Sequence, residues 1–342
     1  MKNTTRLLFN SYLGTIAELN DIDAGVVVGG SKFVATPSVQ QTLETKVQES
    51  SDFLSRVNMV LVDEMSGEKL GLGVGGLIAS RTDTSANDRA TVDPTTLDVN
   101  GYTCKQTNFD THLTYGKLDM WAKFDDFETR IRDAIVKAQA LDKIRIGFNG
   151  TSAAAATDRV ANPLGQDVNI GWLQHIRADK PAHVFDEGTV VAGKVTYGAA
   201  GDYENLDALV YDAINSILPS WAAGDTELVA LIGRDLLHDK YFPVIQKAGD
   251  TATEQVARDV IMSSKRVGGI MAAQVPFIPA GTILVTRFDN LSIYAQDGKH
   301  RRAVIDNPKR DRIENYESSN DAYVVEDYDY SLLIEKIERK DA

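Results

Sequence analysis

Gly71-x-Gly73-x-x-Gly76 has the letters of a dinucleotide-binding turn, in which glycines let the backbone approach a pyrophosphate held at a helix N-terminus. That chemistry needs a strand turning into a helix. Here Leu77-Ile78-Ala79 runs into Ser-, Thr- and Asp-rich sequence without a helical stripe, so the context is wrong. Residues 25–32, GVVVGGSK, resemble a phosphate loop but carry Gly-Ser-Lys where Gly-Lys-Ser/Thr is required, and a flexible linker is the better reading. The five histidines, His112, His175, His183, His238 and His300, lie far apart and form neither an HExxH motif nor an i,i+4 pair. Gly-x-Ser-x-Gly is absent, and Cys104 lacks a local nucleophile signature. Asp125-Asp126 and Glu326-Asp327-Tyr328-Asp329 have charge for a cation, yet a helix cap and a solvated strand end explain them more simply. No catalytic residue, metal ligand or cofactor is therefore assigned.

Residues 299–312, KHRRAVIDNPKRDR, form the one basic segment, with Lys299, Arg301, Arg302, Lys309, Arg310 and Arg312 beside Asp306 and Asp311. It has two readings, a grip on a nucleic-acid backbone or ion pairs between subunits. The interspersed acids and the acidic chain favour the second, where the rigid fork of arginine grips carboxylates at two points.

Composition narrows the class. The 342 residues are 43% apolar and 25% charged, ordinary for a globular protein able to bury a large core. The formal net charge of −13 argues against general attraction to nucleic acid or an anionic membrane. A single cysteine excludes an intrachain disulfide. No apolar run approaches the roughly 20 residues of a spanning helix, and Leu7-Leu8-Phe9 is too short for a secretory signal, so a soluble cytoplasmic chain is expected.

The elements that must position these residues read as mixed α+β. Over 5–19, Leu8, Phe9, Tyr12, Leu13, Ile16 and Leu19 make one helical stripe, and the Gly29-Gly30-Ser31 stretch after it makes the first 33 residues look detachable. Thr36-Pro37 opens a helix carrying Val39, Leu43, Val47 and Leu54. Residues 57–65 read as a strand, Ser66-Gly67 as a reversal, and 68–78 as a returning strand in which Gly71, Gly73, Gly75 and Gly76 interrupt Leu70, Leu72 and Val74. Glycine adds nothing to a core, and an isolated hairpin is marginal in water, so this ribbon needs a neighbour. A helix of about 20 residues, on the order of 30 Å long, begins at Asp125 with Glu128 completing a capping box and ends at Asn149-Gly150. After irregular sequence around a short helix at 172–177, a second unit begins near Tyr203. It holds helices at 206–217, 235–241 and 254–262 and strands at 228–232, 274–278, 282–288 and 291–296, followed by strands at 312–316, 322–327 and 331–337.

Read together, LLFNSYLGTIAELNDIDAG, GEKLGLGVGG, KLDMWAKFDDFETRIRDAI, NPLGQDVNIGWLQ, GRDLLHDKYFPVI and NLSIYAQDGKHRRAVIDNPKRDRIENYESSNDAYVVEDY resemble, in order across nearly the whole chain, the major capsid proteins of contractile-tailed temperate phages of the Peduovirus type. The resemblance implies the capsid fold shared by tailed phages and herpesviruses. It divides the chain into an N-terminal assembly segment (1–33), an N-terminal arm (34–56), an extended β-hairpin loop with strands (57–115), a peripheral domain with a long spine helix (116–202), an axial domain (203–307) and C-terminal strands returning to the core (308–342). It implies self-assembly through hexamers and pentamers into an icosahedral head around double-stranded DNA, touched only non-specifically, with scaffold or protease, portal and decoration proteins as partners. No enzymatic activity, cofactor, metal or membrane is implied, and the setting is the virion, assembled in the host cytoplasm. Removal of the first segment near Phe33 and Val34 is expected, as are inter-subunit contacts from Glu68, Lys69, Arg301, Arg302, Arg310 and Arg312. The competing readings are another virion component, of tail or decoration type, and a nucleotide- or metal-dependent enzyme.

Overall fold

The computed structural model describes residues 1–72, 79–85, 88–89, 91, 95–124, 127–246 and 265–341. The expected Gly73, Gly75 and Gly76 return, the Asp125 cap and the 254–262 helix lie outside the described residues.

The chain opens with α1 (Asn3–Leu19), α2 (Ala24–Val28), β1 (Phe33–Val34) and α3 (Pro37–Glu49). Asp23 caps α2 by accepting the Gly25 N–H, and Pro37 starts α3 with its φ already helical. Next come β2 (Asn58–Val62), β3 (Ser66–Leu72), β4 (Thr95–Thr103), β5 (Lys105–Asn108), β6 (Thr111–Thr114), α4 (Tyr115–Trp121) and α5 (Phe127–Asn149). The middle contributes α6 (Trp172–Asp179), β7 (Val184–Phe185), β8 (Val195–Tyr197), α7 (Leu206–Ile217), α8 (Ser220–Ala223), β9 (Val229–Ile232) and α9 (Arg234–Gln246). Asn205 caps α7 by accepting the Ala208 N–H at 2.8 Å. The chain closes with β10 (Arg266–Val267), β11 (Ile270–Gln274), β12 (Ile283–Thr286), β13 (Leu291–Gln296), β14 (Arg301–Asn307), β15 (Arg312–Val325), β16 (Leu332–Ile334) and β17 (Ile337–Arg339).

Among the described residues, one seven-stranded sheet runs β1-β14-β15-β13-β2, with β5 and β6 also pairing with β15. A six-stranded sheet runs β10-β11-β9-β12-β16-β7, and β8–β17 and β3–β4 are two-stranded. The six-stranded sheet is apolar on both faces. Leu231, Leu284 and Leu333 point into one core with Val47, Leu54, Ile144, Phe148 and Trp172, while Ile232, Val285, Leu332 and Ile334 point into a second with Leu206, Leu209, Ile214 and Leu237. Burial on both sides is why these strands read as unbroken apolar runs. This sheet takes β7 and β16 from outside 203–307, and the seven-stranded sheet takes β13 and β14 from within it.

Three sequence expectations are corrected. Among the described residues, the expected pairing of 57–65 with 68–78 across a Ser66-Gly67 turn is not formed. β2 pairs in parallel with β13, placing Met59 opposite Ile293, and Ser66 begins β3, whose partner is β4. Apolar alternation marks a strand without naming its mate, and the buried Ile293 and Ala295 supply β2 with a better one. The strands at 312–316 and 322–327 are one strand, because the polar run Glu317-Ser318-Ser319-Asn320-Asp321 stays extended with Glu317, Ser319 and Asp321 buried against partners. The first 33 residues are docked. Phe9, Tyr12, Leu13, Ile16, Ala17, Val27 and Phe33 share a third core with Leu118, Ile131, Val304 and Ile313, while Leu8 and Leu19, expected on the same stripe, are exposed.

The spine is α5. Its apolar face meets an aromatic group in which Trp172 stands edge-on to Phe148 at 5.3 Å and to Tyr323 at 5.4 Å and donates its indole N–H to the Ser292 carbonyl at 3.0 Å. Gly147 is needed for close approach, since a Cβ there would sit 2.2 Å from the Trp172 ring. About one turn before Gly147, α5 offers charge: Lys143 Nζ reaches Glu44 of α3 at 3.0 Å and Asp321 of β15 at 3.5 Å. All three side chains are buried.

Candidate assembly surfaces

The β3–β4 ribbon leaves the seven-stranded sheet through a narrow root. The Cys104 N–H donates to the Met65 carbonyl at 2.7 Å, and the Cys104 side chain is fully buried with Ala322 and Val324. Burial pushes its thiol up to about 11, which leaves it protonated and inert at neutral pH. Tyr102 stands edge-on to Tyr294 at 4.9 Å, and the Tyr294 hydroxyl donates to Glu326 at 2.9 Å, so the root is fixed to β13 and to the end of β15. Beyond it, Glu68 is exposed, and the Lys69 backbone lies opposite Asp98.

The basic segment divides. Arg302 of β14 lies opposite Phe33 on one side and Glu317 on the other; its Nε donates to Asn315 Oδ1 at 2.7 Å and its Nη2 to the Tyr12 hydroxyl at 3.1 Å. Arg312 is tied to Glu314 along its own strand, with Nε to Oε1 at 2.7 Å. These two arginines, expected to reach other subunits, have partners inside the chain because β14 and β15 place polar groups across and along the ladder. Arg301 lies opposite Val34 and Ser318 and is half-buried, and Arg310 is exposed with Lys309 at the β14–β15 turn, where Asp311 adopts a φ of 51°. Among the described residues, no ion pair engages Arg301 or Arg310.

Val34 is exposed, and Phe33 is buried in the N-terminal core. Both are held in β1 against Arg301 and Arg302. The exposed Ser31 and Lys32 lie just before.

The residues with letters for other chemistry are dispersed. Gly71 pairs with Thr96 inside the ribbon, and Gly73 and Gly76 lie outside the described residues. His112 is exposed on β6, His175 approaches Asp179 at 3.3 Å, and His183 Nδ1 sits 2.9 Å from the Ser331 carbonyl. His238 stacks on Phe242, and His300 Nε2 lies 2.8 Å from Glu317 Oε1. Among the described residues, no group of three His, Cys, Asp or Glu side chains is placed to hold a metal, and no helix is long and apolar enough to cross a membrane. Glu326 accepts from Tyr294, and Asp327 Oδ1 accepts the Asp329 N–H at 2.8 Å, which accounts for those carboxylates as strand end and cap.

Sequence reasoning missed the buried charges. Glu317 accepts from His300 and from Asn315 Nδ2 at 3.2 Å, and Asp321 accepts from Ser319 Oγ at 2.8 Å and meets Lys143. They alternate on one face of β15. Burial raises the pKa of Glu317, but the His300 hydrogen bond and the Arg302 charge outweigh it and hold the group at about 2.

A fold with two main sheets, a separate two-stranded ribbon and, among the described residues, no assembled metal-binding cluster calls for comparison with shell proteins. The family model for phage major capsid proteins of the P2 family matches residues 8–337. The chain belongs to the P2 family of phage major capsid proteins. It is 50% identical over 343 residues to the "Capsid proteins" of Escherichia phage P2, covering 98% of this chain and 95% of that one. It is 38% identical to the major capsid protein of Serratia phage KSP20, covering 98% and 97%. Among solved structures, a chain of the satellite phage P4 procapsid, which includes a size determination protein, matches with a TM-score of 0.82 and 46% identity over 100% of this chain and 99% of that one. The capsid of an empty GTA particle matches with a TM-score of 0.51 at 17% identity, over 84% and 90%, which supports the fold alone. This chain therefore has the tailed-phage major capsid fold and is a structural component of the virion. Membership favours the shell over the tail or decoration reading.

Proposed function

We propose that this capsid protein builds an icosahedral head through hexamers and pentamers and encloses double-stranded DNA, touching it non-specifically. The observation that carries the reading is the family match from residue 8 to residue 337, which includes the ribbon, the spine and both sheets. Head-to-tail contacts between identical copies close into rings when their rotation allows, so one chain can supply both ring sizes. In this reading the ribbon lies over a neighbouring copy, and Glu68, Lys69, Arg301 and Arg310 make inter-subunit ion pairs, while Arg302 and Arg312 hold the strands that present them. Scaffold or protease, portal and decoration proteins are the expected partners during assembly in the host cytoplasm. The segment before Phe33 and Val34 acts in assembly and is removed on maturation.

Expression with a scaffold, followed by electron microscopy, tests the main claim. Closed icosahedral shells are expected. A chain that stays monomeric across salt and concentration, with scaffold present, overturns it. Intact-mass measurement of mature heads addresses the segment separately, and Met1 or Lys2 retained in every copy rejects removal.

A further inference from the structure

α1 turns a second apolar row outward. Phe9, Tyr12, Leu13 and Ile16 bury its inner face, while Leu8, Leu19 and Leu7 are 41%, 63% and 69% exposed. The outward residues between these leucines include the small Ser11, Gly14 and Thr15. Leu8, Ser11, Thr15 and Leu19 follow one another at helical spacings of three and four, so they form a single row about 16 Å long. Thr15 donates its hydroxyl to the Ser11 carbonyl at 3.2 Å, which satisfies that donor within the helix, and a Cβ on Gly14 would meet nothing within 4 Å. The row is low in the middle and raised at both ends, a shape that lets a second helix come close.

The charges of α1 run against its own dipole. Acids at its start and bases at its end steady a helix, yet the first turn of α1 holds no acid and its last turn no base. Lys2 and Arg6 stand at the start, and Glu18 and Asp21 at the end. The start is served from within the chain: Asp119 of α4 accepts the Lys2 backbone N–H at 2.9 Å, and Asp306 pairs with Arg6 at 3.1 Å. The end is not. Among the described residues, no ion pair engages Glu18, Asp21 or the Lys2 ammonium.

We propose that this outward row is the docking site for the same row of a second copy, the two α1 helices crossing antiparallel at Gly14. Setting Leu8 of each copy against Leu19 of the other puts the smallest residue at the crossing and covers the exposed leucines at both ends. It also carries Lys2 of each copy to the end where Glu18 and Asp21 of the other lack a cation, whereas a parallel pair brings like charges together. The contact is two-fold and self-complementary, so it lies outside any head-to-tail ring and joins a copy in one ring to a copy in the next. This role rests on the reading that the segment acts in assembly, and removal near Phe33 takes the joint away with it.

The first test needs no substitution. Shells of the full chain, formed with scaffold and still carrying the segment, are treated with a carbodiimide, which joins an amine to a carboxylate without a spacer. Lys2 lies about 24 Å along α1 from Glu18, too far for a link within one copy, so mass spectrometry is expected to find Lys2 joined to Glu18 or Asp21 of another copy. A single added cysteine then reads the geometry. Thr15→Cys, beside the crossing, should give a disulfide-linked dimer on mild oxidation. Thr4→Cys, on the same face but roughly 28 Å from its counterpart in an antiparallel pair, should give none. The parent, whose Cys104 is buried, sets the background. Lys2→Glu should lower the Thr15→Cys dimer yield several-fold, and adding Glu18→Lys should restore it. Equal yields from Thr15→Cys and Thr4→Cys overturn the antiparallel pair. So does the absence of both the carbodiimide link and the Thr15→Cys dimer from closed shells, because another surface then covers the row. A full chain that forms no shells overturns the shell reading instead, and the same cross-links on the concentrated free chain then decide the α1 pair.

Discussion

Lys143 is the residue on which the joint between arm, spine and sheet turns. Its ammonium sits between Glu44 and Asp321, and replacing it strands two buried carboxylates. Lys143→Met should destabilise the chain by about 3–5 kcal/mol, read as a lower urea midpoint, since the loss of one partner leaves buried charge unpaired. Gly147→Ala should cost about 1–3 kcal/mol in the same measurement, because the added methyl meets the Trp172 ring. Glu317 sets an acid response. Its pKa falls from 4.5 in the unfolded chain to about 2 in the folded one, so its stabilisation is complete above about 4.5 and is lost as pH falls through about 2. Urea unfolding from pH 6 to pH 2 should show a flatter acid limb in Glu317→Gln than in the parent. None of this network was legible in the sequence: Glu44, Lys143 and Asp321 stand 99 and 178 positions apart, and no spacing rule links residues that only tertiary packing brings together.

At the scale of elements, helices with a long apolar stripe or a clear start were legible, whereas the short α2, α4 and α8 and the strand partners were not. The stripe of α7 and the Pro37 start of α3 carry their own period and caps, so local sequence sufficed. By sequence β15 reads as two strands, because Glu317, Ser319 and Asp321 are polar, and it is whole because His300 and Lys143, from elsewhere in the chain, partner Glu317 and Asp321. α1 also belongs to the body in a way its Gly-rich connection conceals. Deletion of residues 1–32 should uncover Leu118, Ile131, Val304 and Ile313 and remove the Tyr12 partner of Arg302. The shortened chain is expected to melt at a lower temperature and bind more hydrophobic dye than the full chain, and equal behaviour would mean that the third core adds nothing to the body.

For the whole molecule, the ribbon and the body separate stability from assembly. The two main cores and the double-faced six-stranded sheet lie outside the ribbon. Excision of residues 69–98 should therefore leave far-UV circular dichroism and the main unfolding transition close to those of the parent while sedimentation shows no closed shells. The sequence alone determined the class of the protein: an acidic chain with one cysteine, no motif in a workable context, a glycine-rich segment without enough apolar surface to stand alone, and an ordered resemblance to capsid proteins along its length. These properties are local or additive, so they survive in one dimension. Tertiary structure decided which strands pair, which arginines find partners inside the chain and where the ribbon departs from its sheet. Those outcomes depend on competition between distant segments for burial and hydrogen-bond partners, and that competition is settled only when the chain is folded.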